Sequence, residues 1–216
     1  MSLDAKIVED AVKQAKESSG KRKFSQTIEL IVNLRDVDVK KPDGRIQEAI
    51  ELPYTPSKKA KVCVIATREL ALKAKKAGAE LIVGSEELEA LATDKKRQKK
   101  LAEEHDIFIA EAPLMPSVGR FLGAILGPRD KMPKPVPPNA DIKAQIERQK
   151  RTITIRTRGQ PVLQCAIGTE DMEDEEIVEN VMTIMRRLEG RLKRGLKNIT
   201  AIHLKTSMGP IVKVKM

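Results

Sequence analysis

Apolar residues near the start of the chain recur at helical spacing. Leu3, Ile7, Val8, Ala11, Val12 and Ala15 share one face, and that period predicts an amphipathic helix. Ser2 is placed to cap it and Gly20 to end it. The period then shortens to two. Thr27 to Leu34 predicts a strand, and Arg45 to Leu52 alternates through Ile46, Ile50 and Leu52 as a second strand beyond a polar Pro42-Asp43-Gly44 loop.

From Lys61 the pattern changes. Val62-Cys63-Val64-Ile65-Ala66 is a continuous apolar run, followed by a helical period from Arg68 to Lys76 that stops at Gly78. Leu81-Ile82-Val83 predicts a strand, and Ser85 caps a helix over Glu86–Ala92. A charged helix from Asp94 to Glu104 leads into the strand Ile107-Phe108-Ile109. Short apolar strands alternating with helices predict a parallel sheet covered on both faces. Pro113 to Leu126 reads as partly helical, Gly127 to Pro138 as a Pro-rich loop. Asn139 or Asp141 caps a last helix reaching Lys150.

After Arg151 strict alternation returns. Arg151 to Arg158, a Gly159-Gln160-Pro161 turn and Val162 to Ile167 predict a hairpin. A long amphipathic helix begins at Asp174 and closes near Gly195. Two β-type runs, Ile199 to Thr206 and Ile211 to Lys215, then flank Ser207-Met208-Gly209-Pro210. Antiparallel patterning thus brackets βαβ patterning. The chain is read as α/β with two domains: a discontinuous α+β domain from residues 1–60 and 151–216, and an inserted Rossmann-like, doubly wound domain over 61–150.

Charge now narrows the partners. The chain carries 41 Lys+Arg against 31 Asp+Glu, a net +10, which favours a polyanion, nucleic acid being the commonest. The three segments hold 12 basic and 10 acidic residues, 17 and 13, and 12 and 8, so charge alone does not choose the binding domain. No apolar run approaches the ~18 residues that span a bilayer, and no signal-peptide pattern follows Met1, so a cytoplasmic protein is expected. Cys63 and Cys165 lie far apart in apolar runs and read as buried, reduced thiols. His105 and His203 give no zinc spacing. With Trp absent and aromatics at 2%, stacking on an aromatic platform is not the main binding mode.

Several stretches carry candidate chemistry. In the tail turn, Gly209 tolerates backbone angles that other residues avoid, and Pro210 fixes φ. Hydroxyls and bare backbone there suit a ribose face, and Lys205, Lys213 and Lys215 suit phosphates; an ordinary hairpin turn is the bland alternative. Lys21-Arg22-Lys23-Phe24 precedes the first strand, whose Thr27 and Glu29 alternate onto one face. Lys23 could meet phosphate, Phe24 a sugar or base, and Thr27 a ribose hydroxyl. Glu29 could accept from base amino groups or 2′-OH groups. Phe24 stapling the first helix is the competing reading. Arg151, Arg156 and Arg158 could extend a basic platform or guard a sheet edge, and the basic run Lys95 to Lys100 reads as a solvated helix face. The stretch Gly119 to Lys134, read as a loop, combines glycines, prolines and basic residues and superficially resembles a phosphate-binding loop, yet neither GxxxxGK[ST] nor GxGxxG is present. No catalytic constellation can be assembled.

Taken together, Lys23-Phe24-x-x-Thr27-x-Glu29-Leu30, Val64-Ile65-Ala66 with Ala77-Gly78-Ala79, Leu126-Gly127-Pro128-Arg129 with Met132-Pro133, and Thr206-Ser207-Met208-Gly209-Pro210 resemble the "L-one" family of ribosomal proteins in its archaeal form. That family builds the mobile side stalk of the large subunit, and the resemblance spans essentially the whole chain. Ser207 departs from the family's usual Thr before Met-Gly-Pro, keeping the hydroxyl and losing a methyl.

The resemblance implies a split βαβ-type core in the discontinuous domain, which would be the main RNA-binding unit. It implies recognition of a helix-loop structure in large-subunit rRNA, and of a mimic in the protein's own mRNA that represses translation. It also implies a part in releasing deacylated exit-site tRNA, with no enzymatic activity, cofactor or membrane, and a monomer off the ribosome. The family's contacts carry over to Lys23, Phe24, Thr27, Glu29, Lys205, Thr206, Ser207, Met208, Gly209 and Pro210, with Gln164 on the later strand. The rivals are an enzyme binding a nucleotide or metabolite through the Rossmann-like insert, and a DNA-binding module.

Overall fold

The computed structural model describes residues 4–20, 22–41, 44–56 and 60–214. The readings that fell on Ser2, Leu3, Lys21, Pro42, Asp43, Lys215 and Met216 lie outside those residues. In chain order, α1 (Ala5–Glu17), β1 (Thr27–Leu34) and β2 (Gln47–Glu51) come first. They are followed by β3 (Val62–Ile65), α2 (Arg68–Lys76), β4 (Leu81–Val83), α3 (Ser85–Thr93) and α4 (Lys95–Glu104). Next are β5 (Ile107–Glu111), α5 (Met115–Leu126), β6 (Lys134–Val136) and α6 (Ile142–Arg151). The chain closes with β7 (Thr152–Arg156), β8 (Val162–Thr169), α7 (Asp174–Arg191), β9 (Ile199–Thr206) and β10 (Val212–Val214). It divides into two compact units, residues 1–57 with 151–216, and residues 58–150.

The first unit is built on an antiparallel sheet of order β10-β9-β1-β8. Its period-two pattern decides which way each side chain points. Ile28, Leu30, Val32 and Leu34 of β1 are buried, while Thr27, Glu29, Ile31 and Asn33 are half-buried on the outer face. The buried face joins Val8 and Val12 of α1 and Ile177, Val181, Ile184 and Leu188 of α7 in one core. Each such side chain contributes about 1.5–3 kcal/mol when fully buried. The first helix is capped by Asp4, whose side chain accepts from Lys6 N.

The hairpin expected around Gly159 does not form as expected. β7 pairs with β2 in a separate two-stranded sheet, Ile50 opposite Ile153, whereas β8 pairs with β1. Pro161 has no N–H to give a ladder, and its carbonyl accepts from Leu34 N (2.8 Å) at the end of β1. The alternating run before Gly159 takes the alternating β2 as its partner, and the run after Gly159 takes the central strand.

The second unit holds the expected parallel sheet, of order β4-β3-β5-β6. All of β3 is buried, with Cys63 and Ile65 in one apolar cluster and Val62 and Val64 in another. A continuous apolar run is what a strand covered on both faces requires. Three local readings change. Lys134–Val136, inside the expected Pro-rich loop, is an edge strand, where Pro135 is tolerated. Ser85 is the first residue of α3 and gives no cap, Gly84 standing at the N-cap. Gly119 to Leu126 is part of α5 and not a loop. The choice between Asn139 and Asp141 falls to Asp141, which accepts from Lys143 N and Ala144 N.

Burial pushes the Cys63 thiol from its ordinary 9.0 up to about 12, with Glu87 adding to the rise. The preference for the neutral thiol supports the fold below about pH 9 and is lost as pH climbs towards 12. Because the thiolate is the reactive form, iodoacetamide at pH 8 should leave Cys63 unmodified until denaturant is added. Rapid alkylation in native buffer would show that this unit opens readily.

Candidate nucleic-acid interface

The two motifs that stand furthest apart in the sequence meet in the first unit. β9 pairs with β1 so that Thr206 lies opposite Ile28 and Lys205 opposite Glu29. The following turn is fastened to the start of β1. Ser207 N donates to Thr27 O (3.0 Å), and Thr27 N donates to Ser207 Oγ (3.2 Å). The same hydroxyl donates back to Thr27 O (3.3 Å). Retaining a hydroxyl at Ser207 therefore keeps the turn on the strand, and that oxygen is occupied within the protein.

Exposure separates the candidates. Phe24 is 54% exposed and Met208 62%. An apolar surface left in water beside exposed Lys23 is what a contact residue looks like and a staple does not. Thr27, Glu29 and Lys205 are half-buried on the outer face, where Glu29 and Lys205 form an opposite-charge cross-strand pair. Exposed Gln164 shares that face one step along, opposite Ile31, which has His203 on its other side and Lys213 beyond. Pro210 is exposed at the end of the turn.

Thr206 and Gly209 sit differently. Thr206 is 0% exposed, and its Oγ1 is buried without a hydrogen-bond partner. Gly209 does not adopt positive φ, contrary to the freedom its sequence context suggested. Close approach explains the glycine: a Cβ there would lie 2.2 Å from Thr206 Oγ1 and 3.3 Å from Ser19 Cα. Thr206 supports the turn from beneath, and Gly209 lets the chain pass over α1's end.

Sequence reasoning missed Gln26, which is 0% exposed. Its Nε2 donates to Gly20 O (3.2 Å) and Glu170 Oε2 (3.3 Å), and its Oε1 accepts from Met208 N (3.1 Å). One amide thus ties the α1–β1 loop, the loop after β8 and the tail turn together. No local pattern marks a polar residue between Ser25 and Thr27 as buried. His203 was detectable, since alternation from Lys205 puts it on the same face.

In the second unit, the turn after β3 has Thr67 N and Oγ1 both donating to Glu111 Oε2 (2.9 Å each). A buried carboxylate therefore lies at the N-terminus of α2, where a doubly wound domain would seat a dinucleotide phosphate. That arrangement disfavours an anionic ligand there. Among the described residues no group of three or more His, Cys, Asp or Glu could hold a metal ion. No helix among them is long and apolar enough to cross a membrane.

Comparison with known proteins gives the family. Residues 12–210 match the model of the Ribosomal protein L1p/L10e family. The chain is 49% identical over 205 residues to the large ribosomal subunit protein uL1 of Methanocella arvoryzae, covering 95% of this chain and 96% of that one. It is 46% identical over 209 residues to the protein of that name from Archaeoglobus fulgidus, covering 97% and 95%. With the Thermococcus kodakarensis protein identity is 44% over 216 residues, the full length of both. With most of both units inside the matched span and relatives aligned nearly end to end, the chain belongs to the Ribosomal protein L1p/L10e family.

Proposed function

We propose that this structural protein of the large ribosomal subunit binds large-subunit rRNA through the outer face of its first unit, at the turned end of β1 and β9. The observation that carries the reading is the seam between Thr27 and Ser207. It joins segments 180 residues apart into one surface bearing Lys23, Phe24, Glu29, Lys205 and Met208. Such a surface suits a folded helix-loop RNA, offering the Thr27 and Gln164 side chains to 2′-OH groups and lysines to phosphates. The same surface would recognise a mimic in the protein's own mRNA and repress its translation. On the cytoplasmic ribosome it would hold the mobile stalk as deacylated tRNA leaves the exit site. The protein would act without catalysis or cofactor, as a monomer when off the ribosome.

The test removes the second unit. Glu51 pairs with Thr152, and Leu52 N donates to Arg151 O (2.9 Å), so the chain leaves and re-enters the first unit at one place. Replacing residues 58–150 with a few Gly and Ser should leave a cooperatively unfolding protein. It should prefer deproteinised archaeal large-subunit rRNA over a scrambled hairpin, with some affinity lost alongside the insert's positive charge. A folded product without that preference would move the site out of the first unit.

A further inference from the structure

Charge is unevenly distributed along the first unit. Near the Met208 turn, acidic side chains gather: Glu170 is bound to Gln26, Asp171 to Ser25 and Asp174 to Lys16. At the other end of β1 the sign reverses. Exposed Arg35 follows the strand, and exposed Arg191, Arg194 and Lys197 come from the end of α7 and the chain entering β9. Asp36 offsets part of this through an ion pair to Arg194 (3.0 Å). Basic residues at a helix C-terminus also answer its dipole, which alone would account for Arg191 but not for Arg35 or Lys197.

The basic corner is held in place. Asn198, 3% exposed, accepts from Arg194 N (2.9 Å) and donates to Arg35 O (2.9 Å), while its own carbonyl accepts from Arg35 N (2.7 Å). The Arg35 side chain is braced too, its Nε donating to Lys197 O (2.7 Å). A solvated charged face does not need its backbone fixed by a buried amide; a pre-set phosphate clamp gains from it, because less freedom is lost on binding.

We infer that this corner is a second RNA contact of the first unit, taking the sugar-phosphate backbone of the same bound RNA. The inference rests on the rRNA-binding reading above. Thr27 and Arg35 are separated by β1, about 25 Å at the rise of an extended strand. An RNA lying along the outer face would be read at the Thr27–Met208 end, where acidic neighbours disfavour indiscriminate phosphate binding. It would be gripped electrostatically at the Arg35–Lys197 end.

Binding of deproteinised archaeal large-subunit rRNA across a salt series tests this on the full chain. The variant R191Q/R194Q/K197Q is compared with K73Q/K75Q/K76Q, which removes equal charge from exposed positions of α2. The corner variant should lower affinity at least tenfold at about 0.1 M salt and flatten the salt slope by about two. The α2 variant should change affinity less than threefold. R191K/R194K, which keeps the charge, should bind like the parent, separating electrostatics from any loss of folding. Equal effects of the corner and α2 variants would overturn the inference. A parent that does not prefer rRNA over a duplex of random sequence would instead overturn the functional reading beneath it.

Discussion

Replacing Gln26 with Met should lower both stability and RNA affinity, although Gln26 itself is 0% exposed. Methionine keeps the length and volume of the side chain and removes its amide. Met208 N would lose its acceptor, and Gly20 O and Glu170 would lose their donor. Leaving such groups unpaired costs about 1–3 kcal/mol each when no water reaches them. Gly20 and Met208 are exposed enough to recover water, so a net loss of about 2 kcal/mol is expected by chemical denaturation. Affinity should fall further than the unfolded fraction accounts for, since the Met208 turn would keep only its Ser207 fastening. An unchanged denaturation midpoint would mean that the amide network is replaced by solvent at no cost. Unchanged affinity in a destabilised protein would mean that the turn need not be held to bind.

The second large effect concerns Gly209. An alanine there should cost about 1–3 kcal/mol of stability, as overpacking usually does, because its Cβ would lie 2.2 Å from Thr206 Oγ1 and 3.3 Å from Ser19 Cα and Cβ. Thr206 is a β-branched residue on a fully buried strand position and has little room to turn aside. The cause can be isolated by a double-mutant cycle. In a Thr206→Ala background the nearest atom is gone, and Gly209→Ala should cost at least about 1 kcal/mol less. Equal costs in the two backgrounds would dismiss the clash and point to the turn's backbone instead. Because the glycine matters for packing, binding by its variants is interpretable only after correction for the folded fraction.

Much of this protein was determined by sequence alone. Period two over Thr27–Leu34 set which residues of β1 are buried, because successive side chains must point to opposite faces. The continuous apolar run Val62–Ile65 implied a strand covered on both sides, and the amphipathic stretch from Asp174 implied the helix that covers the first sheet. The resemblance carried by Thr206 to Pro210 pointed to the family that the comparisons show. Periodicity, however, is a local signal that does not name a partner. Which strand β7 joins was decided by tertiary pairing: β2 offered a matching alternating edge, and Pro161 could not donate to a ladder across Gly159. Gly209 was legible as special, but its reason was not, since the 2.2 Å approach to Thr206 comes from how the turn closes and the 3.3 Å approach to Ser19 exists only after the turn packs on the end of α1. Gln26 was invisible for the same reason. A buried amide is defined by the three segments that converge on it, and two of its partners, Glu170 and Met208, lie more than 140 residues away along the chain.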